Sequence, residues 1–338
     1  MGTDSGFCQS SRGYDAAFPL FIVGMPRSGT KLLRGILNGH PQVVVSDIET
    51  EFLPYWASNW SNFGPLDDPS TFRSFYDRFT ATPYHSYMKS RGRTVSCNDW
   101  YNACQDYSVS TVFAALMQLT LPFDASRQRI WGDKSPSYIS HLPLIRKLYP
   151  DARIVHIVRD VRDYCVSIKN AWGKNIFRAA QRWSNDVSAA HEFGLHSPAN
   201  YTEIRYEDLL LHTESECARL CQFLDIPFTR DMIQLANPTE NLGRTQGESR
   251  IVSSNAGIYS TQLSDHAITR IEAVAGPVMS ELGYPRKTDT PPHLIGPFRM
   301  FLYKVLDGIN LVARDVEGRG LVKSLVFYAR YHRITNQN

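Results

Sequence analysis

No stretch of the sequence holds about 18 consecutive apolar residues, the length a helix needs to cross a bilayer. Residues 1–17 have neither a basic start nor a long apolar core of the kind a secretory leader carries. From these two absences we expect a soluble, cytoplasmic protein. The six cysteines, at 8, 97, 104, 165, 217 and 221, form no CxxC pair and have no accompanying histidine set, so free thiols are expected and no metal site. Charge of one sign is scarce: a formal net charge of +3 over 338 residues does not argue for nucleic acid, although mild basicity suits a small anionic ligand. Internal repeats and low-complexity tracts are absent too. What remains is a 43% hydrophobic chain long enough to bury a full core. We read it as one domain at 18–285, preceded by an extension at 1–17 and followed by another at 286–338.

The stretch that organises the chain is Phe18 to Leu33, FPLFIVGMPRSGTKLL. An apolar run stops at Gly24, turns through Met25-Pro26-Arg27-Ser28-Gly29 and resumes with helical spacing at Thr30. A glycine-bounded loop between a strand and a helix aims backbone N–H groups and the positive end of the helix dipole at one point, which holds phosphate-like anions. The pattern nearly matches the phosphate loop GxxxxGK[ST], except that Thr30 precedes Lys31. In a nucleotide triphosphatase the lysine comes first and the next hydroxyl binds magnesium. Here Arg27 sits inside the loop beside Ser28. A sulfuryl group carries less charge than a phosphoryl group, so protein cations and N–H donors can suffice for its transfer. The loop therefore leans toward sulfuryl transfer.

Strands are expected at Gln42–Val45, at Arg153–Val158 (RIVHIV) and at Tyr201–Tyr206, with a short one opening Arg129–Pro136 (RIWGDKSP) that breaks into a turn carrying Asp133, Lys134 and Ser135, each alternating with helical segments. The expected fold is α/β, a mostly parallel central sheet flanked by helices, with right-handed crossovers. In such sheets ligands bind at the carboxyl ends of strands. Four groups of residues fall there: the Arg27 loop, the acids Asp47, Glu49 and Glu51, Lys134, and Arg159 with Ser167. Arg162 reads as a structural ion-pairing residue. Residues 52–128 look like an acceptor-side insertion: Phe52–Phe79 is strongly aromatic and fits either a pocket wall or plain core, 80–107 reads as a loop, and Ser108–Leu121 as a buried helix. Tyr138–Tyr149 is expected as an amphipathic helix, and Thr213 with Glu216 as a capping box. A loop over Asn237–Gln262, containing Gly243, Arg244 and Arg250, fits either an anion-covering or a plain surface loop. Ser264 is expected to cap a last domain helix. The basic, apolar C-terminal extension suits three uses: packing on the domain, contact with a second copy as a homodimer, or lying on a membrane surface.

PRSGT after the first strand and RDVRDYCVS after a later one together resemble the sulfotransferases that use 3′-phosphoadenosine 5′-phosphosulfate, over about Phe18 to Tyr284. The motif pattern is most similar to tyrosylprotein sulfotransferases and their bacterial relatives. The resemblance implies a phosphate-loop-like fold and transfer of the sulfuryl group to a hydroxyl-bearing acceptor, with 3′-phosphoadenosine 5′-phosphate (PAP) as product and no metal. By resemblance, Arg27, Ser28, Gly29, Thr30 and Lys31 hold the 5′-phosphosulfate, and Arg159 and Ser167 the 3′-phosphate. HPQVVVSDIETEFLP resembles the segment that supplies the glutamate base, giving Glu49. WGDKSP implies Lys134 on the sulfate-bearing part, RYED implies Tyr206 on the cofactor, and the late loop IVSSNAG implies Ser254, with Arg250 beside it. Glu51 stands where those enzymes have an arginine that helps hold a peptide, so a protein-tyrosine acceptor is not expected; a carbohydrate, glycolipid or small alcohol or phenol would suit an aromatic pocket. Two other readings of the residues stay open: a phosphate-loop kinase using ATP and magnesium, and a non-catalytic nucleotide- or membrane-binding module.

Overall fold

Five short apolar runs pair into one parallel sheet: β1 (Phe18–Gly24), β2 (Val43–Val45), β3 (Ile130–Lys134), β4 (Arg153–Val158) and β5 (Tyr201–Arg205). This computed structural model describes residues 18–122, 130–235 and 246–319. The strand order is β2-β3-β1-β4-β5. Phe18 of β1 faces Ile130 of β3, and Leu20 faces Arg153 of β4. Because side chains alternate along a strand, Phe21 and Val23 enter one apolar layer while Leu20 and Ile22 enter the other. Burial on both faces explains why β1 and β4 read as nearly continuous apolar runs.

The helices sort onto the two faces. α1 (Thr30–Asn38) starts directly behind the glycine loop and buries Leu33, Ile36 and Leu37. The insertion carries α2 (Leu53–Asn59), α3 (Pro69–Thr80), α4 (Pro83–Ser90), α5 (Cys97–Ala103) and α6 (Val109–Thr120); then come α7 (Leu142–Leu148), α8 (Val161–Trp172), α9 (Ile176–Leu195), α10 (Tyr206–Leu211) and α11 (Thr213–Phe223). α12 (Tyr259–Gln262), α13 (Asp265–Glu281) and α14 (Pro297–Arg319) complete the described chain. α1, α10 and α11 cover the face of Leu20 and Ile22, and α6 to α9 with α13 cover the other. Ser264 caps α13 by accepting from Ala267 N, as its sequence position suggests.

Three local expectations are corrected. Residues 80–107 are not a loop: they form α4 and α5, capped by Thr82 and Ser96, whose hydroxyls accept from His85 N and Asp99 N. Each helix is too short, with too few buried positions, to show a period. The segment Tyr138–Tyr149 begins as a 3₁₀ turn over Pro136–His141 and becomes α-helical only at Leu142, since Pro136 and Pro143 lack the N–H groups that a longer helix would use. Thr213 and Glu216 do not form a capping box. α10 runs almost directly into α11, so Thr213 Oγ1 bonds back to Leu209 O at 2.7 Å while Glu216 pairs with Arg219 at 2.7 Å. The expected Gly243 and Arg244, the extension at 1–17 and the part of the C-terminal extension beyond Arg319 lie outside the described residues.

The aromatic segment is core. Trp56, Phe72, Phe75 and Phe79 are buried around Trp100, whose ring lies 4.9 Å from that of Phe79 and whose indole N–H donates to Val112 O at 2.9 Å. Offset and edge-on ring contacts of this kind add to area burial. Trp100→Ala removes the ring that joins α2, α3, α5 and α6. We expect it to cost about 3–5 kcal/mol, read as a lower urea midpoint in equilibrium unfolding.

Candidate active site

The loop between β1 and α1 is shaped by two glycines and one strained arginine. Gly24 has φ +152°, and a Cβ there would meet Ile157 O at 2.5 Å. Arg27 has φ 73°, a left-handed conformation that costs a non-glycine residue roughly 1–2 kcal/mol and that recurs where a turn serves a site. Gly29, with φ +97°, precedes α1, and a Cβ there would meet the Tyr206 ring at 2.4 Å. Ser28 N donates to Met25 O at 3.1 Å, which closes the turn. Ser28 Oγ is buried and finds no partner among the described residues.

Arg159 directly follows β4 and reaches across three other segments. Its guanidinium donates to Arg27 O at 3.2 Å and to Asn255 O at 2.9 Å, and lies 4.7 Å from the centre of the Tyr206 ring. Asn255 Nδ2 in turn donates to Tyr206 Oη at 2.8 Å. The late loop is held there by Asp163, whose carboxylate accepts from Gly257 N at 2.7 Å and Tyr259 N at 2.8 Å. Arg27 Nε faces Ser167 Oγ at 3.4 Å, so the loop also meets the second turn of α8. Arg162, as expected, has a structural role, bridging Asp160 and the buried Glu272.

On the β3 side of the loop, Lys134 Nζ pairs with Glu49 Oε1. Lys134 is 1% exposed and Glu49 35%, so the carboxylate is the member that opens to solvent. Burial, partly offset by Glu49, lowers the Lys134 pKa. Beneath the pair, Thr50 Oγ1 donates to Asp133 Oδ2 at 3.0 Å and shares a 2.6 Å bond with Tyr138 Oη, while Thr50 N donates to Ser135 Oγ at 3.0 Å. This buried network fixes the turn that carries Glu49. Burial pushes the Asp133 pKa up to about 7, against hydrogen bonds from Ser135 and Thr50 that lower it. Of the two other acids, Asp47 is engaged by Arg91 and Arg93, whereas Glu51 lines the same cleft as Glu49; desolvation and then the Glu49 charge raise its pKa.

These groups open into one cleft of about 420 Å³, lined by Arg27, Gly29, Thr30, Lys31, Glu49 and Glu51 at one end and by Trp172, Lys174, Arg178, Arg182 and Asp307 at the other. The crevice lies at the carboxyl ends of β1, β3 and β4, where ligands of open parallel sheets bind. A model of the sulfotransferase family matches residues 19–230, well over half of the chain. The chain belongs to the sulfotransferase family. Among its relatives are a putative protein-tyrosine sulfotransferase of Caenorhabditis briggsae, 22% identical over 295 residues, 81% of this chain and 91% of that one, and the nodulation protein NoeE of Sinorhizobium fredii, 28% identical over 193 residues, 56% of this chain and 40% of that one. The fold is that of the sulfotransferase domain from the curacin biosynthetic pathway, with a TM-score of 0.52 at 21% identity, covering 79% of this chain and 97% of that one. The sulfotransferase domain of the Synechococcus PCC 7002 olefin synthase gives a TM-score of 0.50 at 23% identity over 76% and 94%.

This sulfotransferase cleft thus gathers Arg27, Gly29, Thr30, Lys31 and Glu49, with Ser28, Lys134, Arg159, Ser167 and Tyr206 packed against its loop or its carboxylate. Two expected residues stand apart. Arg250 is 79% exposed and pairs with Glu248, and Ser254 is exposed in a short turn whose Asn255, rather than Ser254, bonds Arg159. Sequence reasoning missed Asn255, the Thr50–Asp133–Tyr138 network, and the cationic far end. There Arg178 Nη1 pairs with Asp307 at 2.8 Å and Lys174 Nζ sits 4.6 Å from the centre of the Trp172 ring. Helical spacing signalled Arg178 and Arg182 only as neighbours on α9, and Asp307 lies in the extension.

Asp133 gives a pH signature. Its native pKa of about 7 exceeds the ordinary 3.8, so its contribution to stability is complete below about pH 4 and is lost as pH rises through 7. Asp133→Asn lacks that loss. Thermal unfolding is expected to show the variant gaining on the wild type between pH 5 and pH 8, by roughly 2–3 kcal/mol at the upper end.

Proposed function

We propose that this enzyme transfers a sulfuryl group from 3′-phosphoadenosine 5′-phosphosulfate to an acceptor hydroxyl, with Glu49 as the base. The observation that carries the reading is the meeting of Glu49 and Lys134 at the cleft into which the Arg27 loop opens. The residues present fit such a donor. Ser28 Oγ and Arg159 Nε are buried without a partner among the described residues, the state expected of groups arranged for a ligand's anionic oxygens. Arg27 to Lys31 would hold the 5′ end through N–H groups, hydroxyls and cations. Arg159 with Ser167 would hold the 3′-phosphate, Tyr206 would pack against the cofactor, and the late loop, held to Arg159 through Asn255, would border it.

When bound, the donor supplies a sulfuryl group on a phosphate leaving group. Glu49 accepts the acceptor's hydroxyl proton as the new oxygen–sulfur bond forms. Lys134 and Arg27 would stabilise the charge that builds on the sulfuryl oxygens and on the departing phosphate. The Thr50 network keeps Glu49 from swinging away, because its turn is bonded to β3. The acceptor class that suits the cleft is a hydroxyl on a carbohydrate, glycolipid or small alcohol or phenol. The cleft is lined by charged and polar groups as well as by Trp172 and Tyr164.

Glu49→Gln is expected to lower turnover by about 10²–10⁴-fold while PAP affinity, measured calorimetrically, is unchanged. Full turnover in that variant would remove the base assignment. PAP binding is expected to survive EDTA, whereas binding confined to ATP with magnesium would favour phosphoryl transfer instead. Arg27→Ala should abolish most transfer, and a fully active Arg27→Ala enzyme would show that the loop does not hold the donor.

A further inference from the structure

The C-terminal helix is docked the wrong way round for a soluble protein. α14 presses its polar face on the domain: Asp307, 4% exposed, accepts from Asn175 N at 2.6 Å and Arg178 Nη1 at 2.8 Å, and Asn310 Nδ2 donates to Gly173 O at 3.3 Å. Phe298, Phe301, Leu302, Val305, Leu306 and Ile309 all face solvent, from 42% exposed at Leu302 to 73% at Phe298. At about 100° per residue these six form one stripe opposite Asp307. Just before the helix, Leu294 is 68% exposed, which lengthens the apolar surface. The orientation is fixed, because the approach to α14 is also tied down: His293 N donates to Ala273 O at 2.7 Å and Ile295 N to Gln181 Oε1 at 3.0 Å. A continuous apolar patch of this kind on a folded protein marks an interaction surface.

Charge decides between occupants. Arg299 and Lys304 flank the stripe on its two sides and are exposed. Between Pro297 and Leu311 the only acid is Asp307, already spent on Arg178. A second copy of α14 laid on this part of the stripe would bring like charges together with no carboxylate to meet them, whereas anionic headgroups answer them directly. Residues 286–338 carry nine Lys or Arg against four Asp or Glu, a surplus larger than the net charge of the whole chain. Among the described residues no helix is long and apolar enough to cross a membrane, so the fitting geometry is a helix lying in the interface plane.

We propose that α14 seats the enzyme on the surface of an anionic lipid bilayer, its apolar stripe entering the headgroup boundary and Arg299 and Lys304 meeting lipid phosphates. Since Asp307 lines the cleft from the opposite face of the same helix, the far end of the cleft then stands about one helix diameter, ~10 Å, from the headgroups. The docking itself does not depend on which group the enzyme transfers.

Co-sedimentation of the full chain with vesicles tests this. Wild type is expected to pellet with phosphatidylcholine vesicles containing phosphatidylglycerol, less with phosphatidylcholine alone, and less as salt rises. The Phe301→Ser/Val305→Ser/Ile309→Ser variant alters only exposed side chains, so its thermal unfolding should match wild type, while its vesicle partitioning falls at least about tenfold. Arg299→Glu/Lys304→Glu should lose the preference for anionic vesicles. Three results would overturn the proposal: wild type that stays in the supernatant, binding that the serine variant retains, or a dimer by light scattering that the serine variant dissolves in the absence of any vesicle binding. The last would assign the stripe to a second copy.

Discussion

The guanidinium of Arg159 lies where four separated segments meet, and the site takes its shape from that contact. The phosphate loop offers it the Arg27 carbonyl, the late loop the Asn255 carbonyl, the start of α10 the face of Tyr206, and the first turn of α8 the Asp163 carboxylate at 3.9 Å. Arg suits this post because its planar fork can bond in several directions and stack at once. Its own carbonyl is taken by the Trp183 indole N–H at 3.0 Å, so the backbone behind it is held as firmly as the side chain. A lysine would keep the charge and lose most of these contacts.

Buried polarity elsewhere is concentrated where backbone must be held against a requirement of the cleft. Thr50, Asp133, Ser135 and Tyr138 do this for the turn of Glu49, and Glu272 does it for the exit from the domain. The Glu272 carboxylate takes Arg162 on one side and the amides of Lys287 and Thr288 on the other. A carboxylate so placed is stable only while every partner stays. The start of the C-terminal extension is thereby bonded to the helix that follows the active-site strand.

Much of this was legible in the chain because the information was local. The β1-loop-α1 unit occupies consecutive residues, and glycine, proline and the apolar runs announce each boundary; the start of α1 and both bounds of β4 fall where the sequence places them. Lys134 and Arg159 could be singled out because a cation at the end of a buried strand has few other uses. What escaped depends on tertiary neighbours. α4 and α5 are too short to show a period, Asn255 is an ordinary loop residue until Asp163 pins its neighbours, and Arg178 gains a role only from Asp307, well over a hundred residues away. The extension is the instructive case. Periodicity told which of its residues share a face, but not that this face turns outward, since that is decided by Asp307 and not by the apolar residues themselves.

Gly29 and Tyr206 fill each other's space: the ring stands where a side chain at 29 would begin. The same ring supports Arg159 from below and receives Asn255 at its hydroxyl. Positions 29 and 206 are therefore not free to vary one at a time. A larger residue at 29 calls for a smaller one at 206, and a smaller one at 206 withdraws the platform under the guanidinium. Change at this corner is expected to be strongly epistatic, so that a neutral path between two working versions of the loop has to pass through several substitutions at once.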